Sequence, residues 1–202
     1  YMYETKVVDY KTAARNGEPF MQLIKVRGIA PNPVARFCTV DLKIRAIRDF
    51  VDSIAWEMPY VGFIGIRADE QRRAAKMHGT KESGQERFLP LWLDGVTKEH
   101  IYDFWINSDF DLNLPNNNGV TDWGNCDLCF LKGHSKRMSI VRERPDLADW
   151  WIDAEASLSK DVGKAAYFRS DTPSYSDMKI IATTQDTFDF GDDETIPCFC
   201  GD

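Results

Sequence analysis

Five cysteines stand out against the rest of the chain. Cys126-Asp127-Leu128-Cys129 is a C-x-x-C motif, Cys198-Phe199-Cys200 is a C-x-C motif, and Cys38 lies far upstream. Two thiolates at C-x-x-C spacing can reach one ion from a single tight turn, and a four-coordinate centre then takes two more ligands from elsewhere. The same spacing also suits thiol–disulfide chemistry. Single cysteines are often buried as small apolar side chains, but two close pairs plus one upstream cysteine point to shared chemistry. Ligand counting does not separate zinc from an iron–sulfur centre.

A second group of residues could hold an anion. Gly65-Ile66-Arg67-Ala68-Asp69-Glu70, followed by Arg72 and Arg73, comes directly after an apolar run. Ligands of open α/β sheets bind beyond the carboxyl ends of strands, and arginine forks grip phosphate or sulfate through paired hydrogen bonds. A solvated charged turn would show the same residues. Arg36 and Lys43 flank Cys38 at the start of a predicted helix, where positive charge favours an anion; a surface charge cluster is the plainer reading. Lys132, Gly133, His134, Lys136 and Arg137 form a basic patch beside the C-x-x-C motif, with His134 either an exposed polar residue or a ligand. Trp150 and Trp151 share the apolar face of a helix and read as core.

The elements that must position these residues follow from periodicity. Residues 4–9 are rich in Val and Thr and predict a short strand. Residues 19–27 predict a helix, with Pro19 in its first turn and Gly28 ending it. Residues 41–54 form an amphipathic helical pattern. Residues 60–66 predict a short, buried parallel strand. The charged stretch 67–87 reads as a loop or short helix. Thr97 caps a predicted helix through Ile106. Residues 114–124 are loop, rich in Asn with a Pro and glycines. Residues 145–158 predict a helix, and 178–183 a further strand. Helices alternating with short apolar strands argue for an α/β fold.

With 202 residues, 43% hydrophobic and 28% charged, the chain has the balance of a globular domain rather than of a disordered one. Its net charge of −7 argues against a broad nucleic-acid footprint, while leaving room for a local basic groove. Acidic residues concentrate in 186–202, which reads as a solvated end. No apolar run is long enough to span a membrane, and no secretory signal opens the sequence. The expectation is a cytoplasmic protein whose cysteines serve metal or redox chemistry.

Taken in order, these segments resemble the phosphoadenylyl-sulfate (PAPS) reductase-like proteins of the adenine nucleotide alpha-hydrolase and ATP-pyrophosphatase superfamily. PNPVARFCTVDLKI resembles the family segment R-x-C-T-x-x-L-K-I. FIGIRADEQRR resembles its G-I-R motif, and LPLWLDGVTKEHIYDFW its P-L-x-x-W element. NCDLCFLKG with RPDLADWWIDAE resembles the cysteine motif and Trp helix of a phage and bacterial branch. The resemblance runs from about Val7 to Glu155. The family opens with a strand and a phosphate loop of the type S-G-G-x-(D/T)-S, which is absent here and by order belongs upstream of Tyr1.

The resemblance implies a Rossmann-like α/β fold with a parallel sheet flanked by helices, N-terminally incomplete, followed by a Cys-rich part. It divides the chain into a nucleotide-binding α/β region, 1–112, and a region of Cys motif, helices and acidic tail, 113–202. It implies an adenine nucleotide or sulfonucleotide held by Arg36, Lys43, Gly65, Arg67, Glu70, Arg72 and Arg73. It further implies a 4Fe–4S cluster, with zinc as the alternative, on Cys38, Cys126, Cys129 and Cys198. Cys200 is the candidate nucleophile for sulfur, with a thioredoxin-like reductant as partner; Cys200-Gly201 matches only two residues of the family's catalytic tail. Two rival readings stay open: an ATP-pyrophosphatase-type protein that inserts sulfur into nucleic acid, and a non-enzymatic, metal-stabilised interaction module.

Overall fold

The computed structural model describes residues 4–55, 60–77, 86–115, 121–124, 126–163 and 166–184. In chain order it contains helix α1 (Glu18–Arg27), a single turn α2 (Phe37–Thr39), a π-helical turn (Val40–Ile44), and helix α3 (Arg45–Ala55). Strand β1 (Val61–Phe63), helix α4 (Gln71–Met77), strand β2 (Glu86–Phe88), helix α5 (Pro90–Leu93) and helix α6 (Lys98–Ile106) follow. Helix α7 (His134–Glu143), a 3-10 turn (Pro145–Leu147), helix α8 (Ala148–Val162) and helix α9 (Tyr175–Thr184) complete the described order.

These elements gather into two compact units. One takes the described residues of 1–50 and 120–200, the other those of 51–119. The first unit therefore draws on both sides of the 112/113 division expected from motif order.

The first unit is helical. Helix α1 begins after Gly17, whose φ of 72° suits glycine; a Cβ there would stand 2.7 Å from the Trp150 indole. It ends where the N–H of Gly28, at φ 66°, returns to the Ile24 carbonyl. Its Leu23 and Ile24 are buried, and the helix packs against α8. Helix α8 turns Ala148, Trp151, Ala154, Glu155 and Leu158 inward, the spacing of one helical face. Helix α9 packs on both α7 and α8. An aromatic cluster fills the centre: Trp151 lies 4.9 Å from Phe168 and 5.0 Å from Tyr175, and Phe20 stands 5.4 Å from Trp150. The core reading of Trp150 and Trp151 holds.

The stretch expected as one helix over 41–54 is instead the π turn followed by α3, with the single turn α2 just before them. Buried Asp41 sits in the π turn and draws in two arginines, Arg27 at 2.6 Å and Arg45 at 2.9 Å. Two further expectations are corrected. Residues 4–9 form no strand: among the described residues no strand pairs with them, and Val7 and Val8 are exposed. Residues 178–183 are helix α9, not strand. Tyr175 and Met178 are both buried, a helical i, i+3 pair that outweighs the β-branched Ile and Thr residues.

The second unit contains β1 and β2, paired in parallel with Val61 opposite Glu86, Gly62 opposite Arg87 and Phe63 opposite Phe88. Parallel neighbours need a crossover, and α4 lies within it. The parallel strand expected over 60–66 is present, shorter and less covered than expected: Val61 is 47% and Phe63 72% exposed. Helix α6 starts as expected at Thr97, whose N–H donates to His100 Nδ1 at 3.0 Å and whose hydroxyl donates to Glu99 at 2.7 Å. The described whole is a helix-rich mixed α/β protein with a small parallel sheet. No described helix is long and apolar enough to cross a membrane.

Candidate thiol and anion sites

The C-x-x-C motif forms a tight turn in the first unit. The Cys129 N–H donates to the Cys126 carbonyl at 3.3 Å, and the Lys132 N–H to the Cys129 carbonyl at 2.9 Å. The next residues run straight into α7, whose N-cap is Gly133. Apolar residues anchor the turn from below: Leu128, Phe130 and Leu131 are buried in the core. Cys126 is exposed and Cys129 half-buried against that core.

Three side chains from outside the turn hold its carbonyl groups. Lys132 Nζ donates to the Asp122 carbonyl at 2.5 Å and the Asp127 carbonyl at 2.9 Å. The Tyr175 hydroxyl, from α9, donates to the Leu128 carbonyl at 2.6 Å. Arg169 Nη1 reaches the Phe130 carbonyl at 3.5 Å. Asp127 and Leu128, the two residues between the cysteines, are thus each fixed through the main chain.

The surroundings carry buried positive charge. Lys132 is 8% exposed and Arg137 1%. Burial lowers the Lys132 pKa, opposed first by the Cys129 sulfur and then by Asp127, Cys126 and Asp122. Arg137 Nη2 donates to Thr172 at 3.0 Å, and its guanidinium lies 5.9 Å from the Tyr175 ring centre. Buried Glu155 accepts from the Phe168 N–H at 3.2 Å and the Tyr175 N–H at 3.3 Å. Its carboxyl pKa is raised because burial penalises the charged form. Tyr175 is pushed well above its usual value, again chiefly by burial, so its hydroxyl stays protonated and remains a donor. His134 is buried as the first residue of α7, not the exposed polar residue that was one of its two expected readings.

Of the expected metal ligands, Cys38, Cys126 and Cys129 are among the described residues. Cys38 and Cys129 both lie against the core of the first unit. Among the described residues, no group of three or more His, Cys, Asp or Glu side chains is placed to hold a metal ion. Cys198 and Cys200 lie outside the described residues. The turn offers two sulfurs beside a buried ammonium, which fits half of a four-thiolate centre, and no step below is routed through a metal.

The expected anion ligands fall in both units. In the second, the G-I-R-A-D-E loop leaves the carboxyl end of β1. Arg67 forms a fork with Asp69 at 2.9 and 3.3 Å, and Arg73 bonds Glu70 at 2.5 Å. The Arg67 N–H donates to Glu70 Oε2 at 3.1 Å. Its partner Asp69 holds the Arg67 pKa above its ordinary value, and Arg67 in turn lowers that of Asp69. Glu70 therefore organises the loop's cations; Arg72 is exposed. Gly65 has an unobstructed Cβ position, with Leu91 at an ordinary 3.8 Å, so packing among the described residues does not require a glycine there. In the first unit, Arg36 precedes α2 as its N-cap and Lys43 lies in the π turn. The motif segment quoted around Cys38 ends in that π turn, an irregularity frequent at functional sites.

No family model and no solved structure matches the chain. Among curated proteins, a 119-residue stretch is 30% identical to the uncharacterized nin region protein ORF290 of Escherichia phage lambda. That stretch is 59% of this chain and 37% of the phage protein. The similarity thus covers little more than a third of that relative's length.

Sequence reasoning passed over Tyr175, Arg169 and Asp41. Tyr175 and Arg169 lie in a Ser- and Pro-containing stretch with no chemical motif, and only the folded contact with the thiol turn singles them out. Asp41 was in view as the first residue of a helix. Its burial between two arginines depends on the π turn, which periodicity does not reveal.

Proposed function

We propose that the chain works in nucleotide-dependent sulfur chemistry, in the manner of the PAPS reductase-like proteins that it resembles in sequence. The observation that carries this reading is the parallel β1–α4–β2 arrangement with the arginine loop at the carboxyl end of β1. That is where open α/β sheets bind their ligands. Arg67 and Arg73 are already oriented by Asp69 and Glu70, which lowers the entropy lost when an anion joins them. Gly65 leaves the backbone open to close approach. On this reading the small parallel sheet belongs to a Rossmann-like fold. Arg36 and Lys43, which flank Cys38 in the sequence, add positive charge, and Cys200 attacks sulfur, with a thioredoxin-like protein restoring the thiol.

Cys126 and Cys129 would be two ligands of a 4Fe–4S cluster or zinc ion, with Cys38 and Cys198 as the others. Such a centre would supply charge and, in the cluster case, electrons. Iron and acid-labile sulfide analysis of anaerobically purified protein tests it, and loss of metal in Cys38→Ser is the expected result.

The nucleotide reading is tested by thermal shift and calorimetry with a sulfonucleotide and with ATP. A ligand that binds the native state raises its apparent stability. A shift that vanishes in Arg67→Ala supports the reading, and sulfite release with a dithiol reductant defines the reaction. Hydrolysis of ATP stimulated by DNA, without sulfite, would instead favour sulfur insertion into nucleic acid.

A further inference from the structure

The geometry of the C-x-x-C turn bears on more than metal binding. Its Cys129 N–H to Cys126 carbonyl hydrogen bond, 3.3 Å, closes a four-residue turn. Such a turn brings its end Cα atoms within about 7 Å, and disulfides span Cα separations of roughly 4.4–6.8 Å. The turn therefore sets the two cysteines at a spacing that overlaps the range a disulfide spans. Lys132, Tyr175 and Arg169 hold the Asp127, Leu128 and Phe130 carbonyls, so the frame is fixed by groups that take no part in sulfur exchange. The two thiols are also unequal. Cys126 is exposed, whereas Cys129 is half-buried against the core. Exchange with an outside disulfide requires access to one sulfur, and rapid closure requires a second sulfur nearby but shielded.

We propose that Cys126 and Cys129 are a redox-active dithiol, with Cys126 the entering sulfur and Cys129 the resolving one, which exchanges with a low-molecular-weight disulfide of the glutathione type. The Cys126 thiolate attacks one sulfur of the external disulfide. A mixed disulfide forms on Cys126 and one external thiolate leaves. Cys129 then loses its proton to solvent and attacks Cys126 Sγ, forming the Cys126–Cys129 bond and expelling the second external thiolate. Both leaving thiolates take up protons. Two electrons pass from the protein to the external disulfide, and excess external thiol reverses the sequence. This proposal rests on the turn alone, does not depend on the nucleotide reading, and is the alternative to metal ligation by the same two sulfurs.

The test uses the full chain, with metal content measured first, equilibrated in buffers of varied reduced and oxidised glutathione. After acid quench, free and then released thiols are alkylated with different mass tags and mapped by peptide. Support is a Cys126–Cys129 disulfide that rises and falls reversibly with the buffer ratio. Two variants give the order of events. Cys129→Ser accumulates one glutathionyl group on Cys126, and in Cys126→Ser the glutathionylation of Cys129 is slower by roughly tenfold or more, as its shielding requires. The proposal is overturned if both sulfurs stay reduced across the range, whether bare or metal-bound. It is equally overturned if the disulfide pairs either cysteine with Cys38, Cys198 or Cys200, or if Cys129 reacts first. None of these outcomes alters nucleotide binding, which is read separately by thermal shift.

Discussion

The Tyr175 hydroxyl offers a clean perturbation of the thiol turn. Tyr175→Phe removes one oxygen and keeps the ring, so the stack on Trp151 at 5.0 Å and the edge contact with Phe168 at 5.9 Å survive. What is lost is the 2.6 Å hydrogen bond to the carbonyl of buried Leu128. A buried acceptor left without its partner costs about 1–3 kcal/mol. In a chain of this size each kcal/mol lowers the melting midpoint by roughly 2–4 °C. Urea unfolding under reducing conditions, followed by fluorescence, measures the loss, and an unchanged denaturant slope establishes that the native state is otherwise intact. The freed turn also exposes Cys129, so its alkylation in the native protein speeds up, while that of already exposed Cys126 changes little. Unaltered stability together with unaltered Cys129 alkylation would show that Tyr175 does not hold the turn.

Other expected outcomes follow from the same contacts. Gly17→Ala meets both a left-handed backbone and the Trp150 indole, whereas Gly28→Ala meets the backbone strain alone. The second costs about 1–2 kcal/mol and the first clearly more, by thermal melting. Asp41→Asn leaves Arg27 and Arg45 without their shared buried carboxylate; because both arginines are partly exposed, the loss is about 1.5–3 kcal/mol, measured by urea unfolding. Arg169 pulls the Asp171 carboxyl from 3.8 down to about 2. The stabilisation from this pair is complete above the unfolded value and disappears as pH falls through the folded one, so Asp171→Asn removes that segment of the acid-unfolding curve. Glu155 has the opposite sign: its raised pKa favours the fold when the carboxyl is protonated, and that contribution is lost as pH rises through the folded value. Hydrogen exchange of the Phe168 and Tyr175 amides against pH reports it.

The sequence was most informative where local chemistry decides structure. Pro19 and Gly28 bound α1 because each acts through its own backbone geometry, and Thr97 marks the start of α6 because its hydrogen bonds reach only the next turn. The helix carrying Trp150 and Trp151 was legible from the spacing of its apolar face. Where pairing with distant residues decides, pattern was insufficient. Val7 and Val8 have strand-forming side chains but, among the described residues, no strand beside them, and residues 178–183 owe their helix to the burial of Tyr175 and Met178 against α7 and α8. The candidate sites divide in the same way. Cys126 and Cys129 declare themselves by spacing, and Lys132 by adjacency. The tyrosine and arginine that fix the turn come from more than thirty residues away, and nothing in their neighbourhoods marks them.

The contact between Trp151 and Tyr175 gives the protein a built-in optical reporter. Of six tryptophans, Trp151 lies face to face with the ring whose hydroxyl grips the residue between the two cysteines. Any rearrangement of the turn strong enough to displace that hydroxyl alters the asymmetric surroundings of an indole chromophore. Near-ultraviolet circular dichroism can therefore follow the state of the sulfurs in real time, with no label attached and no cysteine consumed.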